Sequence, residues 1–222
     1  MKPIEQLEPL PAGTAERLRN NNIVQAWLVL LLALFFGSSL AGIQISLGPR
    51  IEENKINETR EQVPGLVLGA DEAERMAAEG KTLEIVPRTV VVEKNGRETG
   101  YGVFEAIRPG GERVGWVVKA KGQGYADRIE LLLGLGPDVR EVRGIFVLEQ
   151  KETPGLGNKI TFPEWNSQFR GKPTAEPLTV VKGGGSGPTR IDAITGATIS
   201  SRAVTSIVNT AIADLKGPLS SQ

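Results

Sequence analysis

The hydrophobic pattern of the chain changes character twice. From Ile23 to Leu47 apolar residues follow one another almost without a break, and no charged residue lies between Arg19 and Arg50. A helix over that stretch is roughly 37 Å long, enough to cross a bilayer core of about 30 Å. From 48 to 80 the texture turns charged and helical. "EENKINETREQV" predicts a helix ended by Pro64-Gly65, and "ADEAERMAAEG" a second over 70–79, closed by Gly80. Beyond 80, short runs of alternating and β-branched residues take over. "RTVVVEK" and "RETGYGVFEAI" flank Asn95-Gly96 and predict a hairpin with a primed turn. "ERVGWVVKA", "RIELLLGL", "REVRGIFVLEQ" and "PLTVVK" predict further strands, and "PEWNSQF" a helical turn. The last element is a helix from about Ile199 to Lys216, with Val204, Ile207, Val208, Ala211, Ile212 and Leu215 on one face and Gly217-Pro218 as its stop.

The order of these elements is not an alternating strand–helix repeat. It predicts an α+β fold with mostly antiparallel strands behind one N-terminal membrane helix. The segments read as a polar tail over 1–22, a transmembrane helix over 23–47, juxtamembrane helices over 48–80, a main domain over 81–217 and a short tail over 218–222. A cleaved signal peptide is the competing reading of the apolar span, since Ser39-Leu40-Ala41 resembles a small-residue cleavage site. The uncharged run continues well past Ala41, which favours a retained anchor. Charge does not orient it: Lys2, Arg17 and Arg19 precede the span, and Arg50, Lys55 and Arg60 follow it.

Composition narrows the chemistry. The formal net charge is zero, with no basic stripe of the kind a nucleic-acid binder carries. The chain has no Cys and no His. Disulfides, thiol catalysis, Cys-held iron–sulfur clusters and His-ligated metals or haem are therefore excluded within it. So are His general bases. Redox chemistry in this chain requires an organic cofactor held by backbone groups, hydroxyls or charges.

Four stretches invite a site. "GQGYAD", Gly122 to Asp127, begins like a dinucleotide fingerprint but has Asp127 at the third glycine position. "GGGSGPTR" lacks the Gly-Lys-Ser/Thr of a phosphate loop. Both read as plain loops. "ETPGLG" places Pro154-Gly155 at the centre of a type II turn, and Gly157 permits close approach of a ligand. In "DAITGATISS", Thr195 or Thr198 can cap the last helix. The same geometry suits a phosphate: a helix start leaves backbone N–H groups free and carries positive partial charge. Gly196 and Ala197 leave the Thr198 hydroxyl unscreened, and Ser200 and Ser201 supply further hydroxyls.

"ETPGLGNKI" followed by "DAITGATISS" resembles the FMN-binding domain family. Within it the chain is similar to the G subunits of Rnf ion-translocating electron-transport complexes. The C subunits of sodium-translocating NADH:quinone oxidoreductases are the near alternative. The resemblance implies FMN joined by a phosphoester to Thr198, with Asp192, Thr195, Gly196 and Ala197 completing the motif. Ser200-Ser201 replaces the family's frequent Thr-Ser. Glu152, Thr153, Gly155, Leu156 and Gly157 are implied to lie close to the flavin. No residue is assigned to catalysis and none to a metal. The resemblance further implies an uncleaved single-pass anchor in the bacterial inner membrane, a flavin domain outside the cytoplasm, other members of the complex as partners, and a flavin transferase for maturation. Trp165 or Phe162 offers an aromatic face for the ring, although core packing accounts for either. A cofactor-free anchored binding or scaffold module is the reading of a different class.

Overall fold

Two eleven-residue strands with Asn-Gly between them form a hairpin, and the rest of the sheet extends from it in chain order. The computed structural model describes residues 21–221 other than 95, 185 and 186. Contacts divide the chain into two units, Met1–Lys55 and Ile56–Gln222. Helix α1 (Asn22–Leu68) is followed by α2 (Ala70–Ala78). In the first unit α1 displays Trp27, Leu28, Leu34, Phe35 and Phe36 outward, each more than half exposed. Over Asn22–Arg50 it is long and apolar enough to cross a membrane.

The second unit centres on a five-stranded antiparallel meander: β1 (Glu84–Lys94), β2 (Arg97–Ile107), β3 (Arg113–Gln123), β4 (Arg128–Leu135) and β5 (Val142–Glu149), adjacent in that order. Lys94 pairs with Arg97 across the β1–β2 turn. Gly96 has φ +71°, the left-handed backbone that a primed turn needs; its neighbour Asn95 is outside the described residues. Pro87 lies in β1 at the sheet edge, where a missing N–H costs no ladder bond.

Both faces of the sheet are covered, so strand β4 is buried almost throughout. Ile129, Leu131, Leu133 and Leu135 point into the larger core with Trp116 and Val118. Leu132 points the other way, into a smaller core with Ala106, Val117, Val63, Leu66 and Val67. The last turns of α1 thus belong to the sheet unit, and the unit boundary falls at 55/56 rather than after the apolar span. Gly134 and Gly144 face each other across β4 and β5. A Cβ at Gly134 would sit 3.0 Å from the Leu66 carbonyl oxygen, so these glycines form the floor on which the helix rests.

Two expected helix stops are overridden. Helix α1 runs through Pro64-Gly65 to Leu68, because Val63, Leu66 and Val67 are buried on either side of the proline. Gly217-Pro218 likewise falls inside the final helix α4 (Thr198–Ser220), whose Leu219 is 1% exposed. A proline lacks one donor, and here packing of the flanking residues outweighs that loss. By contrast Gly80 closes α2 as expected. It has φ +69°, and Lys81 N–H donates to the Met76 carbonyl at 2.9 Å, a Schellman ending.

Helix α4 lies over the larger core, and Val204, Ile207, Val208, Ala211, Ile212 and Leu215 are all buried. Its approach is close: a Cβ on Gly122 of β3 would lie 2.6 Å from Ile207 Cγ1. Between β5 and α4 come a 3₁₀ turn at Gly157–Thr161, the short helix α3 (Pro163–Asn166), and a parallel pair, β6 (Thr179–Val181) with β7 (Arg190–Asp192). Strand β7, only three residues long, carries no alternation by which a sequence reading would find it.

Candidate functional site

Two turns set the site, and each is built by a glycine. Pro154 fixes the first central dihedral of the first turn, and Gly155 takes φ +76°. The Leu156 N–H closes the turn on the Thr153 carbonyl at 3.1 Å, the type II geometry expected. The second turn spans Ile194 to Ala197. Gly196 has φ +82°, and the Ala197 N–H donates to the Ile194 carbonyl at 2.9 Å. The turns touch: a Cβ on Gly196 would lie 3.1 Å from Leu156 Cδ2.

Strand β7 aims the second turn. The Trp165 indole N–H donates to the Asp192 carbonyl at 2.8 Å, and the Asp192 N–H donates to Gln168 Oε1 at 2.7 Å. Trp165 is itself buried, edge-on to Phe169 at 5.3 Å between centroids. Core packing is its role. Phe162 is 45% exposed, so core packing does not describe it.

Helix α4 starts immediately after the turn. Its N-cap is Ala197, with no side-chain cap, and Thr198 is its first helical residue. Neither Thr195 nor Thr198 caps it, because the tight turn at Gly196 places the cap position on Ala197, between the two. The first intrahelical bond runs from Ser201 N–H to the Ala197 carbonyl at 3.1 Å. The N–H groups of Thr198, Ile199 and Ser200 precede it and have no carbonyl within the helix. Ser201 is committed to structure: its hydroxyl donates to the Ala197 carbonyl and accepts from the Ile194 N–H, both at 3.0 Å.

These parts wall a cavity of about 510 Å³. Thr153, Leu156, Gly157, Gly196, Ala197, Thr198 and Ser200, all expected at a site, line it. Tyr125, Lys182 and Ile199 also line it, and sequence reasoning missed them. Tyr125 sits in the 122–127 stretch, read as a plain loop, and Lys182 ends the PLTVVK run, read as a strand, just before the 183–190 loop. Asp192, Thr195, Gly155 and Ser201 lie outside the lining. Glu152 lies beneath it, 4% exposed, with its carboxylate bonded to protein groups. Leu156, Ile199 and Tyr125 are all exposed at the rim, an apolar and aromatic border. Lys182 adds a cation.

The arrangement fits a phosphate-bearing cofactor with a flat apolar head. It offers a hydroxyl on the first residue of a helix, unpaired N–H groups beside it, a nearby ammonium and an apolar rim. No side chain intervenes at Gly196.

Residues 124–213, which include every lining residue, match the model of the FMN-binding domain family. The G subunit of the Na(+)-translocating ferredoxin:NAD(+) oxidoreductase complex of Acetobacterium woodii is 35% identical over 185 residues, covering 82% of this chain and 87% of that one. The C subunit of the Na(+)-translocating NADH-quinone reductase of Vibrio anguillarum is 32% identical over 115 residues, covering 49% of this chain and 45% of that one. The crystal structure of Shewanella oneidensis NqrC superposes with a TM-score of 0.60 over 77% of this chain and 100% of that one, at 20% identity, a likeness of fold. These matches make the chain a flavin-binding electron-transfer subunit. The chain belongs to the FMN-binding domain family, among the G subunits of ion-translocating ferredoxin:NAD oxidoreductase complexes.

Proposed function

We propose that this chain is a membrane-anchored electron carrier whose FMN is held through a phosphoester on Thr198, within an Rnf-type ion-translocating complex. The observation that carries the reading is the placement of Thr198: first residue of α4, in the cavity wall, with Gly196 and Ala197 before it. The similarity to the Acetobacterium woodii G subunit reaches over most of the chain, whereas that to the Vibrio anguillarum C subunit reaches over about half, which favours the Rnf-type assignment. The apolar helix supports the anchor. Placement of the flavin domain outside the cytoplasm belongs to the same proposal.

Bound FMN supplies the electron-accepting and electron-donating chemistry that a chain without Cys or His lacks. The chain's own residues bind and orient. Thr198 contributes the ester oxygen. In maturation that oxygen bonds to the FMN-side phosphorus of FAD on a flavin transferase. The pyrophosphate link breaks, AMP departs, and the hydroxyl proton leaves with it. The N–H groups of Ile199 and Ser200 and the Lys182 ammonium would offset the remaining negative charge. Leu156, Ile199 and Tyr125 would border the head group and limit water there. Thr198 is an attachment point and takes no part in turnover.

The test is in-gel flavin fluorescence of denatured protein after co-expression with a flavin transferase, followed by peptide mass mapping. FMN mapping to Thr198 is expected. A colourless protein, or FMN on Thr195, Ser200 or Ser201, overturns the reading. An intact N-terminus ahead of Ala41 in membrane-purified protein is expected for a retained anchor.

A further inference from the structure

We infer that Glu152 is the positioning residue of this site: its buried carboxylate clamps the turn bearing Tyr125 to the first turn of α4, and so fixes where Thr198 presents its hydroxyl. The inference rests on the attachment reading above and deepens it.

The carboxylate accepts three hydrogen bonds from two distant segments. Oε1 accepts from the Tyr125 N–H at 2.8 Å and the Ala126 N–H at 3.1 Å. Oε2 accepts from the Ser200 hydroxyl at 2.6 Å. With Glu152 itself on the ETPGLG segment, one side chain joins three walls of the cavity. The fold also leaves room for it. A Cβ on Gly124 would lie 2.3 Å from Oε1, and a Cβ on Gly157 would lie 2.9 Å from Oε2. Two glycines, one on each side, vacate the space this carboxylate occupies.

A carboxylate so placed acts through its neighbours. Tyr125 and Ser200 line the cavity, whereas Glu152 does not. Removing it leaves three donors without their acceptor, the Ser200 hydroxyl in a buried place and the Tyr125 and Ala126 amides in a part-buried one. The first turn of α4 is then no longer tied to the loop opposite. Thr198 is two residues from Ser200 on that same turn. Misplacement of a reacting group by about 1 Å is enough to slow a reaction about a hundredfold.

The substitutions separate hydrogen bonding from charge. Glu152→Gln keeps an oxygen for the two amides, and its NH₂ donates to the Ser200 hydroxyl, which rotates to accept. Glu152→Ala keeps none of the three bonds. Glu152→Asp keeps the charge but is one methylene too short to span both sides. Two readouts are taken on the full chain in detergent. The first is amide hydrogen exchange of the flavin-free protein. The second is the rate of flavin attachment by a flavin transferase with FAD. In Glu152→Ala the amides of Tyr125 and Ala126 exchange about tenfold faster or more, with β4 amides unchanged. Attachment slows about tenfold or more. Glu152→Gln restores both, and Glu152→Asp, the gentler variant should alanine prevent folding, falls between. Wild-type attachment rates in Glu152→Ala or Glu152→Asp, or unchanged exchange at 125–126, overturn the clamp. So does failure of Glu152→Gln to restore them. A wild-type protein that accepts no flavin, with exchange behaving as described, overturns the attachment reading instead.

Discussion

The two glycine turns of the site have the same backbone and opposite surroundings. Gly155 and Gly196 both take φ near +80°, each at the third position of its turn. Around Gly155 there is open space, with no atom within 4 Å of where a Cβ would stand. At Gly196 a Cβ would press on Leu156 Cδ2 at 3.1 Å. Gly155 is therefore required only for its dihedral angle. Gly196 is required for its angle and for its emptiness. One turn shapes the chain, and the other also keeps a space clear beside the Thr198 hydroxyl.

The largest expected effect tests that cleared hydroxyl. Thr198→Ala abolishes covalent flavin, because no ester forms without the oxygen, while Thr195→Ala retains some. Fold is kept in both, and mass mapping with in-gel fluorescence reads the outcome. Covalent FMN in Thr198→Ala makes the comparison of turns irrelevant to attachment.

Next comes Gly196→Ala. The left-handed dihedral costs an L-residue about 1–2 kcal/mol, and pressing on the half-exposed Leu156 side chain adds a smaller part. Urea unfolding measures the sum. Combining it with Leu156→Ala recovers the steric part, and a double-mutant cycle isolates it. Strict additivity of the pair means the Leu156 contact is not what sets Gly196 apart. Gly155→Ala loses only the dihedral part, about 1–2 kcal/mol, with attachment near normal. Gly155→Val, being β-branched, perturbs the flavin spectrum more than it reduces attachment.

The smallest effect serves as a distant control on the same helix. Asp214, near the far end of α4, accepts from Lys94 Nζ and the Tyr101 hydroxyl, both at 2.8 Å. Burial pushes the Asp214 carboxyl up. Hydrogen bonds from Lys94 and Tyr101, with the Lys94 charge, outweigh it and hold the group below the usual carboxylate range. Burial and then Asp214 push the Tyr101 phenol up to about 12. A depressed acid stabilises the fold above its unfolded pKa of about 3.9, and that contribution disappears as pH falls through the folded value. Asp214→Asn therefore costs on the order of 1.5 kcal/mol at pH 7, and the gap to wild type narrows as pH falls below the unfolded value. Flavin attachment is unaffected. A gap independent of pH shows that the ionised pair contributes nothing.

The contrast between the turns was half legible in the sequence. Pro154-Gly155 announces a type II turn because both residues have backbone preferences of their own. The apolar face of α4 and the strands around Leu131 and Val118 were legible for a similar reason, since burial repeats with the period of the element. Pro64 and Pro218 misled, because a proline's cost is local and known whereas the packing of Val63, Leu66 and Leu219 around it is not. Tyr125, Lys182 and Ile199 reach the cavity from separate stretches, and no short string holds them together. Glu152 was placed in the site by its motif. Its role beneath the cavity depends on Gly124 and Ser200, 28 residues before it and 48 after it.

That wide spacing has a consequence for the order of folding. The sheet is a meander, and each strand finds its partner one short turn away. The clasp around Thr198 instead closes loops of dozens of residues, the kind of contact whose entropy must be met late. A nascent chain with its sheet formed but its last helix undocked has the Gly-Ala-Thr string and no cavity around it. A maturation enzyme that reads the cavity and not the string would therefore act as a proofreader, marking with colour only those molecules that have finished folding.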